Sequence, residues 1–113
     1  MSEFQLVSNE LTSKSAELQS VKAQIDAANR QLRLNELSRQ QLEQESASDV
    51  WQGVGKMFVK KSKASYLEEL VKEKKAGEEA LDTLKKKLTY VDVSVENARK
   101  RLEQLLKAAG QGN

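Results

Sequence analysis

The stretch VWQGVGKMFVK, residues 50–60, interrupts a chain that otherwise has the residue pattern of helix from end to end. Two short apolar runs flank Gly53-Val54-Gly55, and glycine reaches positive φ at no steric cost. The pattern predicts a β-hairpin over residues 49–60 with its turn at these glycines. Apolar side chains are expected on both faces: Trp51, Met57 and Val59 have one parity along the chain, and Val50, Val54 and Phe58 have the other.

A hairpin of this size needs further strands or other partners to be stable. Two strands by themselves are at best marginally stable in water, and each edge offers unpaired backbone groups to other strands. We therefore expect the hairpin to join hairpins of other chains in a shared sheet or barrel.

The composition is that of a coiled coil. Charged residues make up 32% of the 113 residues and aromatic residues 4%, and the absence of proline leaves long helices unbroken. The absence of cysteine and histidine removes disulfides, thiolate or imidazole catalysis and most zinc sites. No apolar run resembles a signal peptide or a membrane span. We expect a cytoplasmic protein, with a nuclear pool left open, that is no enzyme and needs no cofactor or metal.

The sequence before the hairpin predicts a helix over residues 3–46. Its apolar residues form a narrow stripe that suits the seam of a coiled coil, the line of contact made by heptad positions a and d. The a positions are Phe4, Leu11, Leu18, Ile25, Leu32 and Arg39, and the d positions are Val7, Lys14, Val21, Ala28, Asn35 and Leu42. The stripe is interrupted at Asn35 and Arg39, where Leu34 and Leu37 lie off the seam. We interpret this as a change of packing partner near the hairpin.

The sequence after the hairpin predicts a second helix over residues 63–109, with Ser62 as its N-cap. Its a positions are Leu67, Lys74, Leu81, Leu88, Val95, Leu102 and Ala109, and its d positions are Leu70, Gly77, Leu84, Val91, Ala98 and Leu105. Heptads sustained over this length indicate a coiled coil. Gly77 costs roughly 1 kcal/mol relative to alanine, and it weakens the seam at about the same distance from the hairpin as Asn35. A soft joint and loose packing both stay open as interpretations.

The distribution of charge favours two helices that fold back on each other. Residues 1–50 carry five basic and eight acidic side chains, whereas residues 51–113 carry 14 and nine. In an antiparallel pair the g positions approach each other; they hold Glu3, Glu10 and Glu17 on the first helix and Lys87 and Arg101 on the second. Exposed pairs are worth about 0–1 kcal/mol each, so they select direction and register rather than stability. Two independently solvated faces are the alternative.

Familiar chemical motifs fail on inspection. Gly55-Lys56 lacks the earlier glycine and the following Ser or Thr of a phosphate-binding loop, because Val50 and Met57 occupy those positions. The lysines of the second helix alternate with glutamates, whereas a helix that reads DNA is denser in Lys and Arg. We expect neither nucleic acid nor membrane as a partner.

Apolar residues also gather at the end of the helix pair that carries both termini. They are Phe4, Leu6, Val7, Leu11, Leu102, Leu105 and Leu106. Heptad positions explain most of them as seam residues, but Leu6 and Leu106 lie outside a and d. One interpretation packs all of them into the seam. The other is a mobile apolar patch that holds the apolar surface of another protein.

The order helix, single hairpin, helix, with WQGVGKMFV at residues 51–59 and a polar cap at Ser62, resembles the β class of prefoldin subunits. The resemblance implies a hexamer of two α-type and four β-type subunits whose hairpins build a β-barrel platform. It implies an assembly surface at the hairpin: Val50, Trp51, Gly53, Val54, Gly55, Met57, Phe58 and Val59. It also implies that the terminal apolar residues hold unfolded proteins, notably actin and tubulin, and pass them to the cytosolic chaperonin without ATP.

The sequence therefore predicts a mainly α fold in one domain, residues 1–113. It is a long antiparallel two-helix coiled coil with a central β-hairpin that joins an oligomeric β-barrel platform. The main alternative in function is a coiled-coil tether or adaptor, which would have no general affinity for unfolded chains. An extended parallel homodimer is a further alternative, and the glycine-rich hairpin argues against it.

Overall fold

The computed structural model describes residues 2–45, 49–54 and 57–111, with the backbone alone for residues 50, 52–54, 57–59, 61 and 111. Four elements follow in order: α1 (Glu3–Gln44), β1 (Asp49–Val54), β2 (Met57–Ser62) and α2 (Lys63–Gln111). The chain forms two compact units. We call Met1–Asp26 with Asp82–Asn113 the terminal unit and Ala27–Leu81 the hairpin unit. Each helix contributes a segment to both units.

Short polar side chains define where the helices begin. The backbone N–H of Gln5 donates to Ser2 Oγ at 3.2 Å, and that of Ser65 donates to Ser62 Oγ at 3.2 Å. These bonds satisfy backbone donors that have no partner within the first turn of a helix. The predicted N-cap at Ser62 is confirmed. Helix α1 ends at Gln44, slightly before its predicted end at residue 46. Helix α2 ends at Gln111, two residues after its predicted end at residue 109.

The strands lie where the sequence places a hairpin, but the details differ. β1 pairs antiparallel with β2, from Asp49 opposite Ser62 to Val54 opposite Met57. Gly53 and Val54 belong to β1, so the predicted turn at Gly53-Val54-Gly55 is wrong for these two residues. Residues 55–56, which include Gly55, lie outside the described residues.

The pairing register also corrects the predicted parity. Each odd-numbered residue of β1 lies opposite an even-numbered residue of β2, as Trp51 lies opposite Lys60. Directly opposite residues share a face of a sheet. The grouping of Trp51 with Met57 and Val59 is therefore wrong. Odd or even numbering along the chain does not predict which residues of two paired strands share a face, because the length of the turn sets the register.

Heptad positions account for the described core. In the terminal unit the buried residues are Val7, Leu18, Val21, Val91 and Ala98; in the hairpin unit they are Asn35, Leu42 and Leu70. All of these except Leu18 are d positions of the predicted heptads. Leucines at a positions, such as Leu32 and Leu88, are half-buried. The seam is therefore centred on d, and it is narrow enough to leave other large side chains in solvent.

Contacts between the two helix segments of the hairpin unit run in opposite directions. Asn35 Nδ2 donates to the Leu70 carbonyl at 2.9 Å, and Lys63 Nζ donates to the Glu45 carbonyl at 2.6 Å. A later residue of α1 thus faces an earlier residue of α2, which makes the pair antiparallel. Asn35 was predicted to interrupt the seam, yet it is buried within it because its amide has a backbone partner across the interface.

The predicted electrostatic flank is present in the terminal unit. Arg101 lies 3.8 Å from carboxylate oxygens of both Glu3 and Glu10. These contacts confirm the approach of g positions for this basic residue. Glu17 instead pairs with Lys14 along α1 at 3.5 Å. All of these groups are substantially exposed, so their contribution to stability is small.

Arg39, the other interruption of the predicted stripe, is satisfied along its own helix. Its guanidinium binds the carboxylates of Glu36 and Glu43, the latter at 2.9 Å. The hydrogen bond from Arg39 lowers the pKa of Glu36 below its usual value, and Glu36 in turn raises the pKa of Arg39. A charged residue therefore occupies this a position without a buried charge.

Gly77 permits a close approach between the helices. A Cβ atom at this position would lie 3.0 Å from Leu32 Cδ2, which is tighter than ordinary van der Waals contact. The side chain of Leu32 occupies the space that a larger residue would need. The side chain of Leu32 is therefore close to Gly77, and a soft joint or loose packing along this part of the seam stays a prediction.

Replacing Gly77 by alanine tests that contact. Alanine favours helix by about 1 kcal/mol over glycine, but its methyl group would press on Leu32. We expect Gly77→Ala to change the free energy of unfolding by less than about 0.5 kcal/mol, and to raise it by about 1 kcal/mol when Leu32→Ala is also present. Urea unfolding followed by far-ultraviolet circular dichroism measures both values.

Gly110→Ala is the matched control, because a Cβ there would meet nothing within 4 Å. Its effect should be the same with and without Leu32→Ala. An equal gain from Gly77→Ala in both backgrounds would show that Leu32 does not restrict position 77.

Candidate functional site

The first candidate site is an apolar surface in the terminal unit. Phe4, Leu6 and Leu106 are 44%, 55% and 53% exposed, and we call these three side chains the terminal surface. Arg101 contacts Glu3 and Glu10, so the segment of α2 that follows Arg101 runs beside the start of α1. The three side chains thus lie at the same end of this unit, which contains both chain termini.

Heptad geometry explains which of the predicted residues are accessible. Leu6 and Leu106 lie outside the a and d positions, and Phe4 lies in the first turn of α1, where the seam begins. Val7 is 1% exposed and belongs to the seam. The other three predicted residues, Leu11, Leu102 and Leu105, are half-buried. The seam is therefore closed directly below the terminal surface.

The second candidate site lies in the hairpin unit. Trp51, the only tryptophan of the chain, is 68% exposed. It faces Lys60 across the strands, and Lys60 Nζ lies 3.3 Å from Asp49 Oδ2. A large indole left in water beside an ion pair is typical of a side chain that a partner covers. Gly53 lies in β1, and the other predicted assembly side chains lie outside those that the structure describes: Val50, Val54, Met57, Phe58 and Val59.

Two adjoining grooves follow the helix pair away from Trp51. One of about 210 Å³ is lined by Ser38, Gln41, Leu42, Glu45, Trp51 and Tyr66. The next, of about 560 Å³, is lined on α1 by Ala28, Gln31, Leu32, Leu34, Asn35 and Ser38, and on α2 by Tyr66, Leu70, Glu73, Gly77 and Ala80. Ser38 and Tyr66 belong to both grooves. Trp51 and Leu34 are therefore linked by a continuous concave surface within the hairpin unit.

Sequence reasoning missed several exposed apolar residues outside the hairpin. Leu34 and Leu37 on α1 are 56% and 54% exposed, and Tyr90 and Val93 on α2 are also exposed. The sequence contains a signal for them, because each pair is three residues apart at heptad positions c and f, outside the seam. The heptad pattern places Leu34 and Leu37 off the seam, and the structure adds that both side chains are exposed.

The buried amide of Asn35 is only half satisfied. Its Nδ2 donates across the seam to Leu70, whereas its Oδ1 is buried without a hydrogen-bond partner. An unsatisfied buried acceptor costs about 1–3 kcal/mol. This seam layer therefore specifies partner and direction while contributing less stability than an aliphatic layer would.

Across residues 2–45, 49–54 and 57–111, no three acidic side chains gather closely enough to hold a metal ion. Neither of the described helices is both long and apolar enough to cross a membrane. The described surfaces can bind other molecules through apolar contact and backbone pairing.

Comparison with known proteins identifies relatives over most of the chain. A family model described as prefoldin subunit matches residues 5–109. Prefoldin subunit 1 of Saccharomyces cerevisiae is 30% identical over 97 residues, which cover 80% of this chain and 89% of that protein. The probable prefoldin subunit 1 of Schizosaccharomyces pombe is 32% identical over 90 residues, covering 79% and 80%.

A solved structure supports the same fold. The crystal structure of the prefoldin beta subunit from Thermococcus strain KS-1 superposes with a TM-score of 0.80 and covers 94% of both chains at 20% identity. The resemblance stated above from the residues around Trp51 thus holds at the level of the fold.

The adjacent residues Leu6 and Val7 provide a test of the terminal surface. Val7→Ala removes buried methyl groups, so it should lower the free energy of unfolding by about 1–3 kcal/mol. Leu6→Ala removes an exposed side chain and should change it by less than about 0.5 kcal/mol. Urea unfolding measures both. Comparable losses would mean that Leu6 is part of the seam and that the terminal surface is smaller than described.

Proposed function

The chain belongs to the prefoldin subunit family of chaperone components, and we propose that it is a β-class subunit of a hetero-hexameric prefoldin. Its partners are two α-type and three further β-type subunits. The assembled complex holds unfolded proteins such as actin and tubulin and delivers them to the cytosolic chaperonin. The subunit acts in the cytoplasm by binding alone, without ATP, cofactor or metal.

The exposed side chains of the terminal surface carry the client-binding part of this proposal. Three large apolar side chains are exposed at this end: Leu6 and Leu106 lie outside the seam, and Phe4 lies where the seam begins. Unfolded proteins expose apolar side chains, and burial of apolar area stabilises their contact with such a surface. Such binding has little sequence specificity, because an apolar surface has few polar groups that could select one client sequence.

A single surface of this size binds a client weakly, and the assembled complex raises the affinity by presenting several such surfaces. Several subunits that contact the same unfolded chain act together, because each contact raises the effective concentration of the client at the next. Weak individual contacts also allow release without a chemical energy source. Avidity thus accounts for both holding and delivery in an ATP-independent mechanism.

Trp51 and the hairpin support the assembly part of the proposal. Among the described residues the two strands pair only with each other, so each offers an outer edge to a strand of another subunit. Trp51 is mostly exposed on one strand. A β-barrel platform shared between subunits would close these edges and cover the indole.

Removing the terminal surface should weaken client holding. In the assembled hexamer, Phe4→Ser, Leu6→Ser and Leu106→Ser together should remove about 1 kcal/mol of apolar contact, which corresponds to roughly fivefold faster release of a denatured client. Light scattering during aggregation of denatured actin, and client release followed by fluorescence, measure the effect.

The control carries Tyr90→Ser and Val93→Ser, which remove exposed apolar residues of the same unit outside the terminal surface. Client release should be unchanged in this variant. Equal effects of both variants would remove the special role of the terminal surface. Wild-type hexamers that fail to hold any denatured protein would favour the tether or adaptor function instead.

Assembly should change the environment of Trp51. The indole is largely exposed in the isolated chain, so we expect its emission to shift to shorter wavelength, and acrylamide quenching to fall, when the partner subunits are added. A hexamer that contains the Trp51→Phe variant gives the background from tryptophans of other subunits. Unchanged emission in a hexamer verified by native mass spectrometry would show that the platform leaves Trp51 uncovered.

A further inference from the structure

A continuous groove leads from the hairpin along α1 within the hairpin unit. We call it the base groove and define it by the side chains along its length: Leu34, Ser38 and Gln41 of α1, Glu45 directly after α1, Trp51 of β1, and Tyr66 of α2. The first four of these are spaced by four, three and four positions, so they form one row that follows α1 to its end. The row covers about three turns, or roughly 16 Å.

Both ends of the base groove expose large apolar side chains. Trp51 is 68% exposed at the hairpin end and Leu34 is 56% exposed at the other, with Leu37 one turn away from Leu34. Beneath the groove, Leu42 and Asn35 are buried in the seam. The seam beneath the groove is thus already packed, so it does not cover the side chains of Trp51 and Leu34.

The polar character of the base groove favours a protein interface. Ser38 and Gln41, which separate the two apolar ends, are uncharged, and carboxylates occur at the rim as Glu45 and Glu73. Interface cores are depleted in charged residues, while aromatic residues are enriched and polar groups surround them. The rim carboxylates fit a partner that carries Lys or Arg beside its apolar face.

We propose that the base groove holds an amphipathic helix of a neighbouring prefoldin subunit. The assembly interface then extends about three turns along α1 beyond the hairpin. This inference rests on the proposed assembly function. Continuity selects the occupant: the groove starts at Trp51, on the strand assigned to assembly, so a subunit joined at the hairpin is held beside the groove at high effective concentration. A client protein has no such advantage at this position.

Photo-crosslinking identifies the occupant directly. The crosslinking residue p-benzoylphenylalanine is placed at Leu34 in the complete hexamer, and at Tyr90 as the control, because both are exposed apolar residues at heptad position c. We expect the Leu34 position to crosslink to a helix of another subunit at several times the yield of the Tyr90 position. Crosslinks only to a bound client, or none, would overturn the proposal.

Charge substitution tests whether the groove contributes to assembly. Leu34→Glu should raise the dissociation constant of the subunit from the hexamer by about tenfold or more, because a carboxylate would enter an apolar contact. Tyr90→Glu, at the matching c position, should change it by less than about twofold. Circular dichroism confirms that both variants keep their helices, and native mass spectrometry measures the assembly.

The outcomes separate this inference from the proposed function. If the wild-type chain fails to assemble with prefoldin subunits, the proposed function fails. If it assembles and the Leu34→Glu variant assembles equally well, the base groove is not part of the interface and the proposed function stands. Leu34→Met should keep full assembly, because it preserves an apolar side chain of similar volume; a loss in this variant would contradict an apolar contact.

Discussion

A narrow line of contact at the d positions is the constraint on which the structure depends. Two helices that meet along such a line bury few side chains: Val21 and Val91 are fully enclosed, whereas a-position leucines such as Leu32 and Leu88 are only half-buried. Apolar residues outside the a and d positions, such as Leu34 and Tyr90, are exposed. The same geometry that makes the helix pair stable therefore also produces the exposed surfaces from which function is inferred.

Those surfaces are divided between the two units of the chain. The hairpin unit combines open strand edges with Trp51 and a groove, which are features suited to permanent association with other subunits. The terminal unit exposes separate apolar side chains above a closed seam, which suits weak and reversible contact. Under the proposed function, the first kind of surface organises the complex and the second binds its clients.

Periodicity predicted most of the fold because it reflects local geometry. The heptads placed the buried d positions, Ser62 was recognisable as a cap, and the g-position charges anticipated the contacts of Arg101. The turn and strand parity were wrong because they depend on register across the hairpin, which a single strand pattern does not contain. Asn35 was misread as a break in the seam since its partner is a backbone carbonyl, which no side-chain pattern reveals.

The buried Oδ1 atom of Asn35 affects where the two helices separate transiently. When thermal motion parts the helices at this layer, water reaches an Oδ1 atom that the closed form leaves unsolvated. Hydration of that atom offsets part of the cost of breaking the bond to Leu70. At Val21 the same motion would wet only hydrocarbon. Transient fraying in the middle of the chain should therefore start at the amide, and an amphipathic helix seated in the adjoining groove would suppress it.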